Sequence, residues 1–103
     1  MRARSTMTRR RKLFVSFDYA NDRSRKDFFA TQSRQPDATF TLSDWSLPFE
    51  EPLKEWVENT YQRINRADAV VVMVGHNTIR APGVQREVHM AKLLGKDIYQ
   101  LLD

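Results

Sequence analysis

The chain contains no cysteine and no long apolar segment, and each of these absences excludes certain classes of protein. Without thiols there is neither a disulfide framework nor a thiolate metal site. The longest unbroken apolar run, Ala69 to Val74, is too short to cross a bilayer, and no apolar segment near the start resembles a secretory signal. We therefore expect a cytoplasmic protein with no membrane partner.

Three sequence motifs of common enzyme classes are also missing. The chain has no G-x-G-x-x-G fingerprint, no Walker phosphate loop and no serine nucleophile elbow. These absences argue against a Rossmann dehydrogenase, a phosphoryl-transfer enzyme and an α/β hydrolase. His76 has no second histidine or cysteine at ligand spacing, so a loop cap is favoured over a metal ligand, and we expect no metal site.

The positive charge is concentrated at the start of the chain. Six of the 17 basic residues fall there, which leaves eleven basic against 13 acidic residues over the rest, a net charge of −2. The six are Arg2, Arg4, Arg9, Arg10, Arg11 and Lys12. This segment lacks interleaved aromatics, which argues against a nucleic-acid partner. We predict a disordered basic leader, Met1 to Arg11, and one domain over residues 12–103.

Hydrophobic periodicity alternates between strand-like and helix-like segments, which is typical of βα units. The predicted strands are Leu13 to Phe17, Thr39 to Ser43, Val70 to Val74 and Asp97 to Leu102. The second strand alternates apolar and hydroxyl residues and is expected at an edge of the sheet. The third is apolar throughout and mostly β-branched, as expected for a central parallel strand covered on both faces.

Three helices are predicted between these strands. The first is capped by Asn21 or Asp22 and turns Phe28 and Phe29 inward. The second starts at Pro52 and carries an apolar stripe at three- and four-residue steps. The third turns Val84, Val88, Ala91 and either Leu93 or Leu94 inward and ends at Gly95. The predicted fold is thus a four-stranded parallel α/β sheet in the order 2-1-3-4, either a minimal domain or one without a final α/β unit.

Ligands of open parallel sheets bind at the carboxyl ends of the strands. The predicted strand ends carry Phe17, Asp18, Tyr19, Asp44, Trp45, His76, Asn77 and Thr78. Trp45 lies on no periodic face, so stacking on a base or a neighbouring chain is as plausible as packing, and we expect it to be partly exposed. Glu87 falls in the predicted first turn of the last helix, so we expect its side chain at the same edge of the sheet. The alternative interpretation is that its negative charge only complements the helix dipole.

Four segments together resemble the TIR-like (ThsB-like) domain family of Thoeris antiphage defence. They are Leu13 to Asp22, Asp44 to Ser46, Val72 to Thr78 and Gly83 to Val88. The resemblance extends from Leu13 to Leu102. It implies a flavodoxin-like fold, in agreement with the βα pattern.

The resemblance also implies an activity: cleavage of NAD between nicotinamide and ribose, with the ADP-ribose passed on as a cyclic signal to a separate effector protein. It places the catalytic glutamate at Glu87, with Gly83-Val84 where the family has a tryptophan-valine or similar pair. NAD is then a substrate, and no cofactor is expected. We expect Glu87→Gln to remove turnover with little change in stability. The alternative is a non-catalytic TIR-like or receiver-like module that acts by self-association.

Overall fold

Four parallel strands joined by three helices make up the computed structural model, which describes residues 10–49 and 52–102. The strands are β1 (Arg11–Ser16), β2 (Phe40–Trp45), β3 (Ala69–Met73) and β4 (Asp97–Leu101). The helices are α1 (Arg23–Ser33), α2 (Leu53–Arg66) and α3 (Pro82–Leu93), and a short 3₁₀ turn, Thr78–Arg80, precedes α3. Among these described residues, no helix has both the length and the apolar character needed to span a bilayer.

The strand order is β2-β1-β3-β4 and every neighbouring pair is parallel, which confirms the predicted flavodoxin-like α/β sheet. All five residues of β3 are buried, because helices or loops cover both of its faces. The edge position predicted for the second strand is also confirmed. The carboxyl ends of all four strands therefore lie along one edge of the sheet.

Two apolar layers, one on each face of the sheet, hold the helices in place. The larger packs α2 and α3 against β1 and β3, and its fully buried members include Phe14, Ile64, Val70 and Ala91. The other lies under α1, where Phe29 contacts both clusters on that face and stacks on Phe40 with ring centroids 4.9 Å apart. Successive residues of β1 therefore point alternately into the layer under α1 and into the layer under α2 and α3.

A β-bulge in β2 changes which side of the sheet its last residues face. Leu13 pairs with Leu42 and Phe14 pairs with Asp44, so the register skips Ser43. Before the bulge, Leu42 packs on the α1 side; after it, Asp44 bonds to α2 and Trp45 lies on the α1 side instead. The residue after β2 is consequently directed toward α2 and α3.

The structure corrects one prediction about an inward-facing side chain and decides another that had two candidates. Phe28 is 67% exposed, so the prediction that it faces inward was wrong. Successive helical residues differ by about 100° in direction, and Phe29 already occupies the inward position. At the end of α3, Leu94 packs on the core whereas Leu93 is 72% exposed, which decides between the two leucines.

Two residues of the predicted leader, Arg10 and Arg11, contact the folded domain. Arg11 is the first residue of β1, and its guanidinium contacts Asp97 at 3.6 Å and the Tyr99 hydroxyl at 3.3 Å. Arg10 donates to the backbone oxygens of Ser33, Gln35 and Pro36. The remainder of the proposed leader, residues 1–9, lies outside the described residues, so its disorder stays a prediction.

Replacing Ile64 with alanine should lower the free energy of unfolding by about 2–5 kcal/mol, because Ile64 is fully buried between α2 and the sheet. The matched control is Ile79→Ala, since Ile79 is 85% exposed and should change stability by no more than about 0.5 kcal/mol. Urea denaturation of the three proteins measures both effects. Equal losses in the two variants would contradict the described core.

Candidate functional site

A cavity of about 360 Å³ opens where β1 and β2 end, beside the start of α3. We call it the strand-end cavity. Its wall is mostly apolar and is formed by the segments 17–20, 46–49 and 81–84. Two wider grooves of about 500 Å³ lie along α1 and between α2 and α3, and neither includes a strand-end residue of β1 or β2. The groove along α1 includes Met73 and Leu101, the last residues of β3 and β4, so it also lies at the carboxyl edge of the sheet. The strand-end cavity differs from it in joining the residues that follow β1 and β2 to the start of α3.

Glu87 is completely buried behind this cavity. The hydroxyl oxygens of Ser16 and Ser46 each lie 2.7 Å from Glu87 Oε1, to which both donate. The second carboxyl oxygen, Oε2, is buried and has no hydrogen-bond partner among the described residues. A carboxyl group with one oxygen bonded twice and the other unpaired is an unusual arrangement for a protein interior.

Glu87 does not lie in the first turn of the helix, as the sequence had suggested. Helix α3 begins at Pro82 and has no acidic residue in its first turn, so Glu87 comes in the second turn. At that position it faces the sheet. The interpretation of Glu87 as a complement to the helix dipole is thereby wrong, because the dipole effect is confined to the first turn.

Burial raises the pKa of Glu87 to about 8, while the hydrogen bonds from Ser46 and Ser16 act in the opposite direction. The physical cause is the loss of water around the charged form. At neutral pH the carboxyl group of the free protein is thus largely protonated. A pKa this far above the ordinary value is the kind of perturbation that clusters at functional sites.

Ser46 connects the cavity to Glu87. It belongs to the cavity wall and also donates to the carboxyl group. Its position is fixed by β1: the Phe17 N–H donates to Ser46 Oγ at 3.0 Å, and the Ser46 N–H donates to the Val15 carbonyl at 3.0 Å. The hydroxyl therefore accepts from Phe17 and gives its proton to Glu87.

The sequence reasoning did not select Ser16 or Ser46 as site residues. A signal was present for Ser16, which follows Phe14 on the same face of a buried strand, where a hydroxyl requires a buried partner. No such signal existed for Ser46, because its direction depends on the bulge at Ser43.

Three of the predicted binding residues do line the strand-end cavity: Phe17, Asp18 and Tyr19. The rings of Phe17 and Tyr19 stack with centroids 5.6 Å apart. Asp18 accepts hydrogen bonds from the Ala20 N–H and the Asn21 side chain, so its carboxylate shapes the turn after β1. These contacts give the cavity one aromatic wall and one acidic residue.

The other predicted residues lie apart from the cavity wall. Asp44 forms ion pairs with Arg63 at 2.6 Å and Arg66 at 3.2 Å. Trp45 is 38% exposed, which confirms its partial exposure, and Lys26 Nζ lies 4.7 Å from its ring centroid. Asp44 and Trp45 point to opposite faces as consecutive strand residues, and the bulge determines which face each one takes.

The loop after β3 is also separate from the cavity. His76 and Asn77 are exposed, and Thr78 is buried. Thr78 Oγ1 accepts the Gly75 N–H at 2.6 Å, so Thr78, rather than His76, closes this turn. Within residues 10–49 and 52–102, no three His, Cys, Asp or Glu side chains come together as a metal-binding group.

Arg23 and Arg86 flank the cavity from opposite sides. The Arg23 guanidinium lies 5.2 Å from the centroid of Tyr19, and that of Arg86 lies 5.8 Å from the centroid of Phe49. Both rings belong to the cavity wall. The two exposed cations thus lie beside the aromatic part of the cavity wall.

The raised pKa makes the effect of Glu87 on stability depend on pH. Between the ordinary value of 4.5 and about 8, the folded protein keeps a proton that the unfolded chain releases, so stability falls as pH rises and levels off above pH 8. The difference in unfolding free energy between Glu87→Gln and wild type should grow over this range, by at most about 5 kcal/mol.

This expectation replaces that of an unchanged stability, because a buried glutamine carries no charge to desolvate. Urea denaturation of both proteins at several pH values measures the difference. A difference independent of pH would show that Glu87 titrates normally.

Comparison with known proteins agrees with this architecture. A family model described as Thoeris protein ThsB, TIR-like domain, matches residues 14–101 and so reaches all four strands and all three helices. No curated protein matches the chain in a sequence search. The matched segment covers most of the chain and contains the strand-end cavity and Glu87. The chain therefore belongs to the family of Thoeris ThsB TIR-like domains, in the context of bacterial antiphage defence.

Proposed function

We propose that this domain cleaves NAD at the bond between nicotinamide and ribose, with Glu87 as the catalytic carboxylate. The observation that carries the proposal is the buried carboxyl group of Glu87, bonded through Ser46 to the wall of the strand-end cavity. Membership of the ThsB TIR-like family supports the same activity. Tyr19 and Phe49 supply aromatic surface on which the flat nicotinamide ring can pack.

The main requirement of the reaction is a negative charge held close to the ribose carbon that loses nicotinamide. When the carbon–nitrogen bond breaks, its electron pair leaves with nicotinamide, and the ribose carbon becomes positively charged. A carboxylate stabilises that charge, as in glycoside cleavage. Attack by water gives ADP-ribose and releases a proton, whereas attack by a nucleophilic atom of the ADP-ribose itself gives a cyclic product.

The raised pKa of Glu87 is compatible with this chemistry, because the charge of the substrate affects the ionisation of the carboxyl group. In the free protein, burial favours the neutral acid. NAD carries a positive charge on its nicotinamide ring, and a nearby cation lowers the pKa of a carboxyl group. Binding of the substrate thus promotes ionisation of Glu87 where the negative charge is required.

Direct contact between the ribose and Glu87 requires part of the cavity wall to move, because Glu87 has no exposed surface. Ser46 is bonded to β1, but the following residues Leu47 to Phe49 form an irregular segment. Phe49 is 40% exposed and holds this segment through an edge contact with Trp56. We expect Leu47 to Phe49 to shift when the substrate binds.

Self-association is a second proposed property, and the alternative function of a non-catalytic module depends on it. Large apolar side chains are exposed on α1 and after β4, where Phe28 and Leu102 are each 67% exposed and border one groove. Exposed apolar surface of this kind favours association.

Transfer of a cyclic product to an effector protein is also part of the enzymatic proposal.

The Glu87→Gln variant should release nicotinamide from NAD at least about 100-fold more slowly than wild type, because the neutral amide cannot stabilise the positive ribose. The matched control is Glu58→Gln, in which an exposed glutamate of α2 is replaced. Chromatography of the products at high protein concentration measures turnover.

Equal turnover in wild type and folded Glu87→Gln would contradict the catalytic assignment. If wild type releases no nicotinamide even at high concentration and with an effector protein present, the association module becomes the better account. Sedimentation of the same samples then shows whether the chain associates.

Arg86→Gln should raise the KM for NAD by about five- to tenfold, because an exposed cation beside the cavity contributes about 1 kcal/mol to binding of the diphosphate. Nicotinamide riboside has no phosphate, so its KM should stay the same. Arg34→Gln is the matched control, since Arg34 follows α1 and lies outside the cavity wall. A KM increase that is equal for both substrates would exclude phosphate recognition.

A further inference from the structure

The two oxygens of the Glu87 carboxyl group have opposite surroundings. Oε1 accepts two hydrogen bonds of 2.7 Å, whereas Oε2 accepts none within the described residues although it is buried. A buried carboxyl group with a purely structural role is expected to have both oxygens paired, because an unpaired polar atom in the interior is costly. The difference in hydrogen bonding between Oε1 and Oε2 therefore indicates that the carboxyl group has a role beyond packing.

The two donors come from different strands and are themselves held firmly. Ser16 is the last residue of β1 and is fully buried. Ser46 follows β2; its N–H donates to the Val15 carbonyl of β1, and its hydroxyl oxygen accepts from the N–H of Phe17, the residue after β1. Because β1 and β2 pair in parallel, the two hydroxyls reach the same carboxyl oxygen from adjacent strand ends.

We propose that Ser16 and Ser46 are positioning residues for Glu87, whose hydroxyls fix Oε1 and leave Oε2 as the oxygen that meets the substrate ribose. This inference rests on the proposed NAD cleavage. It assigns separate tasks to the two oxygens: one orients the side chain, and the other carries the negative charge toward the reacting carbon. The unpaired state of Oε2 is then the state that precedes substrate binding.

No charged side chain of the described residues bonds to Glu87, so the two serines are its specific partners. Strand β3 contains no titratable residue. The titratable groups on the other elements around it bond elsewhere or are exposed: Asp18, Asp44, Arg63, Arg86 and His89. A change in the titration of Glu87 can therefore be traced to loss of a serine hydroxyl.

The test compares Ser16→Ala and Ser46→Ala with wild type, and with Ser24→Ala as the matched control, because Ser24 is exposed on α1. Loss of a donor should raise the pKa of Glu87 by about one unit, because hydrogen bonds to a carboxylate favour its charged form. Carbon-13 NMR of labelled glutamate side chains measures this pKa without substrate.

Turnover supplies the second readout. In both serine variants, the pH at which kcat/KM rises should move upward by about the same amount, and kcat/KM at neutral pH should fall about tenfold, with most of the loss in kcat rather than in KM. Ser46→Cys keeps a weak donor and should give an intermediate shift. The NMR spectra show whether each variant is folded.

Each outcome separates this inference from the proposed function. An unchanged pKa and an unchanged pH profile in folded Ser16→Ala and Ser46→Ala would overturn the positioning role, even if Glu87→Gln is inactive. A lower kcat with an unchanged pH profile would indicate a packing effect and would also overturn it. Absence of turnover in wild type would overturn NAD cleavage and the role of Oε2, and the NMR shift would then show only that the serines hold the carboxyl group.

Discussion

Burial of β3 on both faces is the constraint on which the rest of the molecule depends. A strand made only of alanine, valine and methionine has no polar face, so it must lie in the interior of the sheet with a layer on each side. β1 and β4 flank it, and the helices cover the two faces. Because the strands are parallel, their carboxyl ends meet at one edge, and that edge is where the cavity forms.

The bulge in β2 determines the chemistry at that edge. In a regular strand, Asp44 would share a face with Leu42, and Ser46 would lie on the α1 side with them. Skipping Ser43 in the register reverses these directions. Asp44 then pairs with α2, and Ser46 reaches Glu87 on α3. One extra residue thus creates the link between the cavity wall and the buried carboxyl group, in line with the frequent occurrence of bulges beside active sites.

Glu87 illustrates the conflict between stability and function. A buried carboxyl group destabilises the folded state once it is ionised, and two serine hydroxyls offset only part of that cost. A fold selected only for stability would place an apolar residue there, next to Phe14 and Val84 in the same core layer. Retention of a titratable group in the core is understandable if its charge is needed when the cationic nicotinamide ring of the proposed substrate binds.

The sequence by itself determined the fold class and the position of each helix, because the spacing of apolar residues is a local pattern. The strand order could be predicted because the apolar run of β3 requires an interior position and the alternation in β2 favours an edge. It also directed attention to Phe17, Asp18, Tyr19 and Glu87. The tertiary structure alone decided the burial of Glu87, its serine partners and the faces to which Asp44 and Trp45 point. The reason is physical: the burial of Glu87 depends on how α3 packs against the sheet, and a single bulge in β2 sets the faces of Asp44, Trp45 and Ser46, which the residue pattern of that strand does not encode.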